Sequence, residues 1–149
     1  MESYSGLLTV DPAHNGNMFF WFFPALESPE TAPVVIWLQG GPGTSSMFGA
    51  LKLHGAVLTT VDGDNNLTGV EANPNTWARR NNMLYIDNPV GAGQVTPSED
   101  VLTLFMLLVS SGFSFSDKLP TTNEDVTNNL YEFLQQWFQL FPEYQAGQS

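Results

Sequence analysis

Cysteine is absent from the 149 residues. That excludes disulfide staples, thiol nucleophiles and thiolate metal sites together. Histidine occurs only as His14 and His54, too few imidazoles to argue for zinc, and neither a metal nor a cofactor is expected. Lysine and arginine total 4 against 15 acids, a formal charge of −11. No basic stripe exists to release counterions from a nucleic acid or to neutralise an anionic membrane, so neither is an expected partner. The longest apolar run, Val101 to Val109, is broken by Thr103; a membrane span needs about 20 residues, so none is expected. The N-terminal MESYSGLLTV has no basic n-region and no long apolar core, so no signal peptide is visible. On that reading the chain begins downstream of a true N-terminus or stays in the cytosol.

What is present is core material: 42% hydrophobic residues and 13% aromatic ones, enough to build one domain of this length. Tyr4 to Val10 reads as a strand with Leu8 and Val10 on one face, and Met18 to Phe23 as a second strand, apolar on both faces. Asp11-Pro12 and Asn15-Gly16 are turn signals between them, so a hairpin at a sheet edge is expected. Leu26 to Pro33 reads as an exposed loop. Val34 to Leu38 is a β-branched apolar run that fits a strand buried on both faces in the middle of an α/β sheet. Met83 to Ile86 is a second strand of that kind, and Asp87-Asn88-Pro89-Val90-Gly91 follows at its carboxyl end, where α/β sheets bind ligands.

Met47 to Leu53 reads as a short helix, with Lys52 and His54 facing solvent, and Gly55 to Val61 as a strand. Asp62 to Asn66 is a turn; it superficially resembles an acidic calcium loop but lacks the twelfth-position Glu and the helical flanks. Asn66-Leu67-Thr68 is an N-glycosylation sequon, relevant on a secretory route. Arg79 and Arg80 read as a solvated turn. Asn123 to Phe141 carries Val126, Leu130, Phe133, Leu134, Trp137, Phe138 and Phe141 at helical spacing, one stripe that needs a sheet to cover it. Thr121 and Glu124 fit a capping box, and Pro142 stops the helix.

The stretch that organises the chain is Gln39-Gly40-Gly41-Pro42-Gly43, between the Val34–Leu38 strand and a helix start capped by Thr44, Ser45 or Ser46. One reading is a tight turn and nothing more. The other is a site of free N–H groups for developing negative charge.

Wider motifs bear on that choice. Trp37-Leu-Gln-Gly-Gly-Pro-Gly-Thr-Ser-Ser46 resembles the strand-and-turn motif of the serine carboxypeptidases, an α/β-hydrolase family. Phe19-Phe-Trp-Phe-Phe-Pro24 precedes it, Leu84-Tyr-Ile-Asp-Asn-Pro-Val-Gly91 follows, then Gly112-Phe-Ser-Phe-Ser-Asp117 and Pro142-Glu-Tyr144, in the family's order. Gln before the glycines is most similar to the vitellogenic carboxypeptidase-like branch. Asn73-Pro-Asn-Thr-Trp77 resembles a family stretch that packs an indole under the sheet. The resemblance implies an α/β chain forming the N-terminal, incomplete part of an α/β-hydrolase sheet: edge hairpin, buried parallel strands and flanking helices. It implies a partial carboxypeptidase domain over 1–149, secreted or lysosomal in location, acting on a peptide C-terminus.

The resemblance also assigns roles. The N–H of Gly41 would be one oxyanion-hole donor, and Gln39 and Gly40 would hold the substrate carboxylate, Gln standing where the family usually has Asn. The chain departs from the pattern at Leu53-His54-Gly55-Ala56, where the family often has a Glu and a Pro that support carboxylate binding. The family's Ser nucleophile sits in a Gly-x-Ser-x-Gly motif beyond Pro-Glu-Tyr, followed by Asp and His. No such motif occurs here; Ser5, Ser45, Ser46, Ser110 and Ser111 lack the setting, and His14 and His54 precede where the Ser should be. No catalytic triad residue is therefore assigned, and the chain alone is expected to be inactive and marginally folded. The alternative is a truncated splice product without catalysis, an interaction module that self-associates or binds chaperones through exposed apolar surface. A third reading is an independent small binding domain of another class.

Residues 94–111 do not fit the resemblance. Gly91-Ala92-Gly93 and Gly112-Phe113-Ser114 look like the two sides of one family junction, split by QVTPSEDVLTLFMLLVSS. A membrane-seeking segment, a short helix on a real insertion and a translated intron are the three readings.

Overall fold

The structure, a computed structural model, describes residues 1–41, 43–64, 66–92 and 112–145. The segment 94–111 and Ser110 and Ser111 within it therefore lie outside the described residues.

Strand β1 (Tyr4–Asp11) turns through a short helical turn at Pro12–His14 into β2 (Gly16–Phe23). The two pair antiparallel, and Asn15 takes the left-handed conformation that the Asn-Gly turn asks for. Three further strands follow: β3 (Val34–Trp37), then β4 (Val57–Val61) and β5 (Leu67–Ala72). Strand β6 (Asn82–Ile86) and helix α1 (Asn123–Leu140) complete the framework. The main sheet runs β1-β2-β6-β3, with β2 and β6 antiparallel and β3 and β6 parallel. It is a mixed sheet.

Alternation along β2 and β6 builds two cores. Met18, Phe20, Phe22, Leu84 and Ile86 face one side, where Phe133 and Trp137 of α1 close over them. Phe23, Met83 and Tyr85 face the other side, against Met47, Ala50, Ala56 and Ala78. The stripe on α1 is core as expected: Leu130, Leu134, Phe138 and Phe141 pack around Phe133 and Trp137. Its capping box lies one residue later than the spacing suggested. Thr122 Oγ1 accepts from the Asp125 N–H at 3.1 Å, and the Asp125 carboxylate accepts from the Thr122 N–H at 3.2 Å. An Asp at that position closes the box as a Glu would.

Several expectations change. β3 lies at one edge of the sheet among the described residues, not in its middle, and Ile36 is 39% exposed. Burial on both faces belongs to β6, whose five residues are all buried. Leu67–Ala72, not read as a strand, pairs with β4 as a separate two-stranded sheet around the Asp62 to Asn66 turn. Trp77 is 48% exposed rather than tucked under the sheet. Arg79 and Arg80 are exposed, and both meet Glu27, at 3.9 and 3.2 Å. No helix among the described residues is long and apolar enough to cross a membrane.

Candidate functional site

The glycine turn leaves β3 at its carboxyl end. Gly41 has φ +144° and Gly43 φ +103°, conformations that side chains resist. A Cβ on Gly41 would sit 3.1 Å from Thr44 Oγ1. Gly40 and Gly41 are exposed, and neither donates its N–H to a partner among the described residues. Backbone donors left free at an exposed turn are the kind of group a developing anion needs.

Gln39 is held at both ends. Its N–H donates to Ser46 Oγ at 3.1 Å, and its side-chain Oε1 accepts from Trp37 Nε1 at 3.1 Å. With Oε1 engaged, the amide nitrogen is the group left to donate, and it has no acceptor among the described residues. The arrangement therefore orients Gln39 as a donor.

Beneath the turn lies a buried knot that the sequence did not single out. Asp87, fully buried just after β6, accepts from the Ser45 hydroxyl at 2.7 Å and the Ser46 N–H at 2.8 Å through Oδ1. Its Oδ2 accepts from the Phe113 N–H at 2.9 Å. Ser46 Oγ donates to the Ile86 carbonyl at 2.5 Å. Ser114 Oγ donates to the Asp87 carbonyl at 2.7 Å and accepts from the Phe19 N–H at 2.8 Å. Burial pushes the Asp87 carboxyl up, opposed by the hydrogen bonds from Ser45, Phe113 and Ser46. The only local signal is an Asp that follows an apolar strand; its Ser45-Ser46 partners lie far from it in the chain and look like helix caps. Ser45 does cap: its Oγ accepts from the Met47 N–H at 3.1 Å.

His54 does not face solvent. It is 7% exposed, stacked on Trp77 with ring centroids 4.2 Å apart and edge-on to Trp37 at 4.3 Å. Its Nδ1 lies 3.1 Å from the Tyr85 hydroxyl oxygen, and its Nε2 is buried with no partner among the described residues. Burial lowers the His54 pKa and raises that of Tyr85. Three aromatic side chains distant in sequence enclose this ring, which is why a local reading missed it.

His14 is part-exposed on the β1–β2 connection, its Nδ1 2.7 Å from Asp11 Oδ2. Ser5 is exposed on edge strand β1, while Ser45 and Ser46 are committed to Asp87 and Ile86. No Ser hydroxyl meets a His ring nitrogen among the described residues; Ser116 Oγ donates instead to the His14 backbone carbonyl at 3.1 Å. Asn66 is exposed at the β4–β5 turn, its Nδ2 3.1 Å from Asp62 Oδ2. Asp62 also accepts from the Asp64 and Asn66 N–H groups, and those bonds hold its carboxyl below the usual range. No cluster of three metal-ligating side chains occurs among the described residues.

Comparison with known proteins gives the family and the fold. The sequence model of the family described as serine carboxypeptidase matches residues 1–101 and 108–148. "Probable serine carboxypeptidase CPVL" of Homo sapiens is 45% identical over 147 residues, covering 97% of this chain and 26% of that protein. Vitellogenic carboxypeptidase of Aedes aegypti is 40% identical over 145 residues, covering 95% of this chain and 26% of its own. A solved structure of Kex1Δp, a prohormone-processing carboxypeptidase from Saccharomyces cerevisiae, superposes with a TM-score of 0.69 at 27% identity, over 95% of this chain and 28% of that one. The chain thus spans about a quarter of the length of the relatives it matches.

Proposed function

We propose, from the premise that this chain belongs to the serine carboxypeptidase family, that it contributes substrate-binding and charge-stabilising groups to hydrolysis of C-terminal peptide bonds. In this reading the Gly41 N–H is one oxyanion-hole donor, and Gln39 and Gly40 receive the substrate's terminal carboxylate. The observation that carries it is the exposed turn whose Gly40 and Gly41 N–H groups have no partner among the described residues, beside a Gln amide fixed as a donor. An oxyanion hole lowers the barrier only next to a nucleophile. Since the 149 residues contain no Gly-x-Ser-x-Gly, they are proposed to be inactive by themselves.

The test is a chimera in which residues 1–149 replace the matching quarter of a carboxypeptidase relative, made with and without 94–111. Cleavage of an N-blocked dipeptide is expected from at least one form. In that form Gln39→Leu is expected to raise KM for the free-acid substrate with little change in kcat. An unchanged KM in Gln39→Leu would remove the carboxylate role. A chimera that folds and does not cleave would remove the activity.

Residues 94–111 are proposed to be an atypical insert, with a translated intron as one origin. Sequencing the native transcript across Gly91 to Phe113 and beyond Ser149 decides between them. Location on the secretory or lysosomal route is proposed from the family. It carries a prediction: Asn66, exposed on a hairpin turn, is glycosylated when the chain is directed to that route. Peptide N-glycosidase should then increase gel mobility, and Asn66→Gln should remove the effect.

A second reading is a non-catalytic splice product that acts as an interaction module. It is favoured by β3, which forms an edge among the described residues and where Ile36 and Leu38 are each 39% exposed. Native chain that migrates as a monomer and binds no chaperone would remove it.

A further inference from the structure

We propose that Asp87 is the positioning residue of the glycine turn: its carboxylate fixes the Ser45-Ser46 backbone that in turn aims the N–H groups of Gly40 and Gly41. The description of that turn as an oxyanion and carboxylate site rests on the function proposed above; the mechanical coupling of Asp87 to it does not.

The connectivity is short. Oδ1 holds the Ser45 hydroxyl and the Ser46 N–H, so the segment just after the turn is tied to the end of β6. Ser46 Oγ then accepts the Gln39 N–H, which ties the segment just before the turn to the same point. The glycines are clamped on both flanks, with Asp87 and Ser46 as the shared anchors. Oδ2 brings in a third segment through the Phe113 N–H. Gly112 is part of the fit, because a Cβ there would come 2.8 Å from Asp87 Oδ2.

A buried carboxylate without a counter-ion costs free energy unless N–H and O–H donors replace its water. Asp87 makes no salt bridge among the described residues; three donors from two segments do that work instead. The groups facing it are Ser45, Ser46 and the Phe113 amide, with Ser114 on its carbonyl. The titratable side chains on the same side of the sheet, Tyr85 and His54, contact each other. Protonating Asp87 removes the charge that the donors converge on, and the loosened clamp should register at the glycine amides.

The experiment is a pH titration of the ¹⁵N-labelled 149-residue chain by NMR, following the Gly40 and Gly41 amides from pH 3.5 to 7. Both are expected to shift with one common midpoint above the usual Asp value of about 3.9. Asp87→Asn, which keeps the shape, is expected to abolish that titration while the Leu130 amide in α1 stays where it was. Glycine amides indifferent to pH, or a titration that persists in Asp87→Asn, would overturn the proposal. If Asp87→Asn fails to fold, Ser45→Ala decides: losing a donor to the ionised form should move the midpoint up, and an unmoved midpoint overturns the proposal. None of these readouts depends on peptide cleavage, so a failure here and a failure of the enzymatic reading are separate results.

Discussion

At the scale of single residues, the side of the sheet that carries the glycine turn tolerates little added volume. A Cβ on Gly55 would lie 1.7 Å from the Ala50 carbonyl oxygen, which is backbone and cannot swing aside. Gly63 has nothing within 4 Å of the same position. Gly55→Ala is therefore expected to cost about 1–3 kcal/mol or more, and Gly63→Ala much less, measured as the shift in urea midpoint. His54 adds a pH term. Its folded pKa lies below the unfolded value of about 6.5, so the unfolded chain binds the extra proton as pH falls. Its contribution is intact above about pH 6.5 and is lost progressively as pH drops toward the folded value. Comparing urea midpoints at pH 7.5 and pH 5.5 for the native chain and His54→Phe should show a smaller pH loss in the variant. The sequence could not have announced this: a lone His beside Lys52 and Gly55 looks superficial, and only the meeting of Trp37, Trp77 and Tyr85 buries it.

At the scale of elements, what could be read locally was read well. The stripe and the stopping proline of α1 act as their chemistry suggests, while its cap falls at Thr122 and Asp125 rather than Thr121 and Glu124. Thr122→Ala is expected to cost about 1 kcal/mol. Trp137→Ala, which empties a pocket between Phe22 and Phe141, is expected to cost about 3–5 kcal/mol. Thermal or urea melts followed by helical circular dichroism check both. Trp137→Phe should cost less than Trp137→Ala, because the indole N–H has no acceptor among the described residues and Phe retains much of the ring contact. Elements fixed by non-local pairing were harder to read. β5 reads Leu-Thr-Gly-Val-Glu-Ala, with Gly69 and Glu71 breaking any alternation, and it is a strand because β4 offers it a ladder. The edge placement of β3 is likewise invisible in Val34 to Trp37, since an apolar run cannot say which neighbours will cover it. For the same reason the glycines were legible as a turn, while the contacts of Asp87 were not. The glycines announce a backbone conformation, whereas Asp87 acquires its role from Ser45, Ser46 and Phe113, which are remote from it in the chain.

At the scale of the whole molecule, the issue is whether residues 94–111 are needed by the fold that Ala92 and Gly112 belong to. The residues on either side meet: a Cβ built on Gly112 would lie 2.1 Å from the Ala92 carbonyl oxygen and 2.8 Å from its carbon. Neighbours that close can be joined with little movement. Joining them removes Gly93 together with 94–111 and yields Asn88-Pro-Val-Gly-Ala-Gly-Phe-Ser, in which the Asn-Pro-x-Gly loop leads into Gly-Phe-Ser as the resemblance implies. Both flanks are already anchored: the Ala92 N–H donates to the Pro89 carbonyl at 2.8 Å before the segment, and after it Phe113 and Ser114 bond Asp87 and Phe115 pairs with Asn17 by reciprocal backbone bonds of 2.8 and 3.0 Å. Loop closure depends only weakly on length, about 0.6 kcal/mol for each doubling, so shortening the connection changes the entropy of folding modestly and in the stabilising direction. It also removes the apolar stretch Val101 to Val109, which promotes association if left uncovered. The chain lacking 93–111 is therefore expected to melt at a temperature no lower than the native chain and to sediment with less aggregate. A deletion that instead melts lower, or loses the Asp87–Phe113 contact by NMR, would make the segment an integral part of the fold and rule out treating it as translated intron.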